Sequence, residues 1–272
     1  MKKYLLATLS VVLIAAAIIG VLFLAKPKIS EPIATEQPTQ QDVTLAPVPT
    51  EPPTEPPTEA PTMPSSYMIE GVEVIPQVEY KAGCETYACT MLLQTLGYDM
   101  DETMFLNNYL EIRYPTYGDD GQMYGPDMYS SQVGDIYGGW GVYCTAMAKY
   151  MNHYLSDVGS EQKATAIENV PLIDLCEQYV SKGIPVMIWG TVEMLEPYPR
   201  FTWIVNYVDE NAHYQIGDSF SWLQHEHCLV LIGYDEESFY FADSCAGKVS
   251  IFERELSETR YEQLGMQAIV VK

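Results

Sequence analysis

The chain has 272 residues, with 14 Lys and Arg against 37 Asp and Glu, for a formal net charge of −23. Apolar residues at 47% and aromatics at 12% are globular values, which excludes wholesale disorder. The acid excess excludes a duplex nucleic-acid partner, which needs Lys and Arg to displace condensed counterions, and equally an electrostatic hold on anionic lipid.

Met1-Lys2-Lys3 opens an uncharged, mostly apolar run from Tyr4 to Ala25, 22 residues long. About 20 such residues span a bilayer as a helix, so residues 1–25 are expected to be a signal anchor or a signal peptide. The small-residue site Ala15-Ala16-Ala17 lies inside the run and not after it, which favours a retained anchor. Lys2 and Lys3 favour an inside N-terminus. The remainder is then extracellular, on a single-pass membrane protein, or secreted if the segment is cleaved.

Residues 26–66 are a Pro/Thr/Glu-rich linker. Eleven of the 18 prolines fall here, and Thr50-Glu51-Pro52-Pro53, Thr54-Glu55-Pro56-Pro57 and Thr58-Glu59-Ala60-Pro61 nearly repeat. Proline fixes φ and removes a donor, so this stretch is expected to be an extended, disordered spacer. The domain 67–272 keeps 10 basic and 31 acidic side chains, net −21, so the acidity belongs to the folded part.

Within that domain Val72–Gln77 reads as a short strand. Cys84–Leu96 reads as a helix stopped by Gly97, and Asp101 as the N-cap of a second helix ending near Leu110. Residues 111–139, rich in Gly, Tyr, Asp and Ser, show no period and read as a long irregular loop. Trp140–Leu155 reads as a third helix and Pro171–Lys182 as a fourth, closed by Gly183. Period two then takes over. Ile184–Trp189, Phe201–Tyr207, His227–Tyr234, Phe239–Asp243 and Lys248–Phe252 read as strands, Leu256–Leu264 as a helix, and Gln267–Val271 as a last strand. Helices first and antiparallel strands after them indicate an α+β domain.

Six cysteines, Cys84, Cys89, Cys144, Cys176, Cys228 and Cys245, are compatible with a disulfide framework in an exported chain. Against it stand the domain's size and the lack of tight, regular spacing. Cys84 differs from the rest. It follows Gly83 at a helix start, where free N–H groups and the helix dipole favour a thiolate. Glu85 beside it works the other way and raises the thiol.

His227 opens one strand and Asp243 closes the next, as a base and its orienting carboxylate would. Their spacing is even, so they share a face only if the connecting hairpin has an odd loop or a bulge. A three-residue loop would set Asp243 opposite Leu229, within reach of His227. A two-residue loop alone would part them. His225-x-His227 is spaced as some zinc ligands are, but no third ligand accompanies it, and no metal or cofactor is expected. Tyr114, Tyr117, Tyr124, Tyr129 and Tyr137 of the long loop are candidates either for a cleft lining or for packing. His213 reads as a surface or loop residue.

Ile75-Pro76-Gln77, Gly83-Cys84-Glu85, Leu96-Gly97-Tyr98, Gly125-Pro126-Asp127, Gly139-Trp140-Gly141, Glu226-His227-Cys228 through Gly233-Tyr234-Asp235, and Phe241-Ala242-Asp243 together form a pattern. It resembles the papain-like cysteine peptidases of the bacteriocin-leader-processing (C39) family, in its exported single-domain branch. Leader-processing members usually carry Asp-Cys-Gly where this chain has Gly83-Cys84-Glu85. The resemblance covers nearly all of 67–272. It implies a papain-like fold with Cys84 as nucleophile, His227 as base and Asp243 as orienting residue. Gln77, seven residues before the nucleophile, is then an oxyanion donor together with the Cys84 backbone N–H. The expected activity is cleavage of a peptide or protein substrate by a monomer. The alternatives are a surface binding module on the same fold and an acyltransferase that passes the acyl group to an amine.

Overall fold

The structure, a computed structural model, describes residues 63–272. The expected membrane segment (1–25) and nearly all of the linker (26–66) lie outside the described residues. Among the described residues no helix is long and apolar enough to cross a membrane.

A large antiparallel sheet forms the backbone of the domain. Its strands are β1 (Tyr67–Met68), β6 (Ala164–Glu168), β7 (Val186–Thr191), β10 (Glu226–Tyr234), β11 (Ser238–Asp243), β12 (Lys248–Glu253) and β13 (Gln267–Val271). The order across it is β12-β11-β10-β7-β13-β6, with β1 pairing against the far end of β10. Every residue of β7, β10 and β13 is buried, so the centre of the sheet is covered on both faces.

α1 (Cys84–Thr95) packs against β10 and β7, with its first ten residues all buried. A helix covered all round must be apolar or have its polar groups satisfied. Ala88, Cys89, Met91, Leu92 and Leu93 meet that demand. α2 (Glu102–Asn108) starts where Asp101 Oδ1 accepts the Met104 N–H at 2.6 Å, the expected cap. α3 (Cys144–Asp157) begins four residues later than the pattern suggested, because Gly141 holds a left-handed φ of 106° that no helix contains. α4 (Leu172–Gln178) starts after Pro171, a 3-10 turn follows at Val180–Lys182, and Gly183 ends it at φ 80°. α5 (Arg254–Gln263) is capped by the Glu253 carboxylate, which accepts from the Glu255 and Leu256 N–H groups.

Two expectations need correction. Val72–Gln77 is extended but forms no strand. Its N–H groups find isolated partners, Ile75 on Met91 Sδ (3.4 Å) and Gln77 on Ser244 O (2.8 Å), and no neighbouring strand runs alongside. The stretch 111–139 is not wholly irregular either. It contributes β2 (Ile112–Arg113), β3 (Thr116–Tyr117), β4 (Met123–Pro126) and β5 (Gln132–Val133). β3 and β4 join β8 (Tyr198–Tyr207) and β9 (Ser219–Gln224) in a second, four-stranded sheet, where β4 runs parallel to β8.

Candidate active site

Gly83 sits where the chain folds tightly before α1. A Cβ there would stand 3.0 Å from Tyr80 Cβ and 3.2 Å from Tyr80 O, closer than real Cβ atoms are comfortable. No side chain caps this helix start, so its first N–H groups and its positive end lie at Cys84. The thiol nevertheless stays a thiol. Cys84 Sγ donates to Glu85 Oε2 at 3.2 Å, and burial, then the charges of Glu85 and Glu226, push its pKa well up. A helix end offers about 0.3–1 kcal/mol at ordinary sites, too little to offset desolvation beside two carboxylates.

The hairpin between β10 and β11 closes on Asp235 and Ser238 around a two-residue loop, Glu236-Glu237. That loop alone would put His227 and Asp243 on opposite faces. A bulge between Leu231 and Gly233 inserts one extra residue, and the pairing then runs Leu231 to Phe241 and Val230 to Ala242. Continued one step, the register sets Asp243 opposite Leu229. His227 Nε2 lies 3.0 Å from Asp243 Oδ1, with the imidazole and carboxylate both buried. Asp243 is held in turn by the Ala246 N–H (3.1 Å) and the Ser250 hydroxyl (2.8 Å). Burial opposes the charge on the imidazole, but its hydrogen bond to Asp243 and its contact with Cys245 outweigh this, and the His227 pKa is pushed up to about 10. Asp243 moves the other way. Burial raises it, and the His227 hydrogen bond and charge more than reverse that.

Gln77, Cys84, Glu85, Trp140, Gly141, Trp222, Glu226, His227 and Cys245 line one cleft of about 190 Å³. The structure therefore gathers Gln77, Cys84 and His227 along one wall, with Asp243 behind the imidazole. The Gln77 carboxamide is tied back. Its Nε2 donates to Tyr80 O and Lys81 O, both at 2.9 Å, and its Oε1 accepts from the Ser244 hydroxyl at 3.0 Å. The cleft-side nitrogen of the imidazole, Nδ1, has Cys245 Sγ at 3.7 Å.

Four contributors to the cleft escaped the sequence reading. Cys245, exposed just past β11, had only its place among six cysteines to mark it. Glu226 stood in a quoted motif without a role, and the indoles of Trp140 and Trp222 form cleft walls where tyrosines had been candidates. Tyr114, Tyr117, Tyr124, Tyr129 and Tyr137 do not line this cleft, and Tyr114, Tyr117 and Tyr137 are turned to solvent. His225 is held away from it, with Nδ1 3.0 Å from Glu196 O. His213 stacks on Tyr129. All six cysteines are free thiols, so no disulfide framework is present. Two donor groups, His227/Asp243/Cys245 and Cys84/Glu85/Glu226, have ligand atoms within 4.8 Å of one another, the spacing that would hold a cation.

Residues 69–269 match the model of the Peptidase_C39 like family. The uncharacterized protein YvpB of Bacillus subtilis is 26% identical over 192 residues, covering 70% of this chain and 69% of YvpB. A crystal structure described as a C39-like peptidase from Bacillus anthracis shares 27% identity and superposes with a TM-score of 0.61, covering 76% of this chain and 97% of that one. With a family match over nearly all of the described residues, and a fold shared with that structure, the chain belongs to the C39-like peptidase family.

Proposed function

We propose that the domain is a thiol peptidase in which Cys84 is the nucleophile, His227 the general base and acid, and Asp243 its orienting carboxylate. One observation carries this reading. The buried His227–Asp243 pair turns its other ring nitrogen, Nδ1, into the same cleft that holds Cys84 at a bare helix start. Catalysis asks the thiol to leave Glu85 Oε2 and give its proton to the neutral form of His227 at Nδ1, which leaves a thiolate beside an imidazolium. The thiolate then attacks the acyl carbon, the imidazolium protonates the leaving amine, and water releases the acyl group. The Cys84 N–H and the Gln77 carboxamide would hold the oxyanion, the latter after releasing one of its two backbone carbonyls. Residues 1–25 would anchor this domain to the membrane and 26–66 would hold it away on the outer side.

A second reading has its own support. Cys245 is the sulfur nearest His227 Nδ1 and is exposed, so it could be the thiol that the imidazole activates. Alkylation of the full chain with iodoacetamide near neutral pH, mapped by mass spectrometry, separates the two. The expected result is selective modification of Cys84 that falls at least about tenfold in His227→Ala, with peptide cleavage lost in Cys84→Ala and retained in Cys245→Ala. Labelling of Cys84 no faster than Cys89 or Cys228, or cleavage lost only in Cys245→Ala, overturns the assignment. Added amine that diverts the product from acid to amide would show acyl transfer instead of hydrolysis.

A further inference from the structure

Glu85 and Glu226 meet at the floor of the cleft beside the thiol. A Cβ on Gly141 would overlap Glu85 Oε1 and come within 3.4 Å of Glu226 Oε2, so glycine leaves the two carboxylates facing one small space. Glu85 is spoken for: its Oε1 accepts the Val142 N–H at 2.9 Å and its Oε2 the Cys84 thiol. Glu226 is not. It is 9% exposed, and its buried Oε1 makes no full hydrogen bond, having only the nearby Trp222 indole N–H, itself without another partner, to ease it. A buried carboxylate with an unmet oxygen is costly, and a cation is the partner that would meet it.

We propose that Glu226 and Glu85 form a recognition pocket for a basic side chain, lysine or arginine, lying next to the bond that Cys84 attacks. This deepens the peptidase reading above and rests on it. The walls fit such a guest. Trp140, Trp222 and Val192 offer apolar and aromatic surface for an alkyl stem and a cationic head, while the two carboxylates lie at the end. The cleft's volume, about 190 Å³, is below the roughly 300–1,000 Å³ of pockets that enclose whole small ligands, and suits one side chain. A bare divalent ion would make no use of the indoles. Occupancy also bears on chemistry. The same two carboxyls, when ionised, are the ones that oppose a thiolate at Cys84. A basic side chain seated between them removes that opposition, so the right substrate eases its own nucleophile.

The test compares three small thiol reagents on the full chain with EDTA present: aminoethyl, ethyl and sulfonatoethyl methanethiosulfonate. In each, the Cys84 sulfur bonds to the reagent's sulfenyl sulfur and methanesulfinate leaves, so the reagents differ only in the charge carried two carbons away. The expected result, read at Cys84 by mass spectrometry, is modification by the aminoethyl reagent about tenfold faster than by the ethyl reagent, with the sulfonatoethyl reagent slowest. The preference should persist in 0.5 M salt, where exposed charges are largely screened. In Glu226→Gln it should fall to within about threefold. On the unaltered protein, millimolar n-butylammonium should compete with the aminoethyl reagent and slow its reaction at Cys84, and n-butanol should not, a readout that needs no folded variant. Equal rates for the three reagents, a preference that survives Glu226→Gln, or no competition by butylammonium overturns the pocket. Cys84 labelling that is indifferent to His227→Ala would instead sink the peptidase reading while leaving a measured cation preference in place.

Discussion

Replacing Glu226 with glutamine should stabilise the domain, and increasingly so as pH rises. Burial is the first cause that pushes the Glu226 carboxyl well up, the Glu85 charge adds to it, and His227 and the Trp222 indole only partly oppose. Cys84, Cys245 and Trp222 are the other groups around it. A carboxyl whose folded pKa exceeds its unfolded value keeps its proton longer in the folded state. Its stabilising effect is complete below the unfolded pKa and is lost as pH climbs toward the folded one. Each pH unit in that interval costs the native protein about 1.4 kcal/mol per carboxyl. For a domain of this size 1 kcal/mol moves Tm by about 2–4 °C, so Tm of Glu226→Gln minus wild type should grow by roughly 3–6 °C per pH unit above the ordinary glutamate range. Relief of Glu85, which burial also raises, adds in the same direction. Differential scanning calorimetry from pH 4.5 to 8 measures it. A variant less stable than wild type throughout, with a pH-independent difference, would mean Glu226 is paired in solution and would refute both the stability reasoning and the empty-partner premise of the pocket.

Asp243→Asn should bring the His227 pKa down from about 10 toward the ordinary imidazole value, followed by NMR titration of its ring protons. The stability cost should be largest between the ordinary aspartate and imidazole ranges and should fade as pH climbs from there to about 10, and an unmoved titration would show that Asp243 does not set it. Gly141→Ala should cost more than about 2 kcal/mol in urea unfolding, since it joins a left-handed φ of 106° to overlap with Glu85. A neutral Gly141→Ala would show that the two carboxylates have room to part.

Local rules carried most of the fold. α1, the Asp101 cap and β13 follow from apolar spacing and cap chemistry that neighbouring residues supply on their own. Val72–Gln77 has the apolar alternation of a strand but lacks a partner, and pairing is decided by distant chain. β6 was invisible for the converse reason: Ala164–Glu168 has little pattern, and β13 recruits it. At the site, Cys84, His227 and Asp243 stood out by residue type and context. Whether His227 could meet Asp243 turned on parity, which depended on a bulge that no turn residue announces. The carboxylate pair was harder still. Glu85 and Glu226 are 141 positions apart, and the packing of α1 on β10 brings them together, with Gly141 leaving the room between them.

The strand order has a consequence for biogenesis. Among the described residues β13 comes last in chain order, after every strand it joins, yet it fills an interior slot, hydrogen-bonded to β7 on one side and β6 on the other. Gln267 on that strand also accepts the Cys144 N–H at the start of α3, so one late segment closes both the sheet and a helix end. Until it arrives, β6 and β7 present two unpaired edges to whatever is nearby. A chain emerging N-terminus first would thus stay vulnerable to proteases and to neighbouring copies until Gln267–Val271 docks.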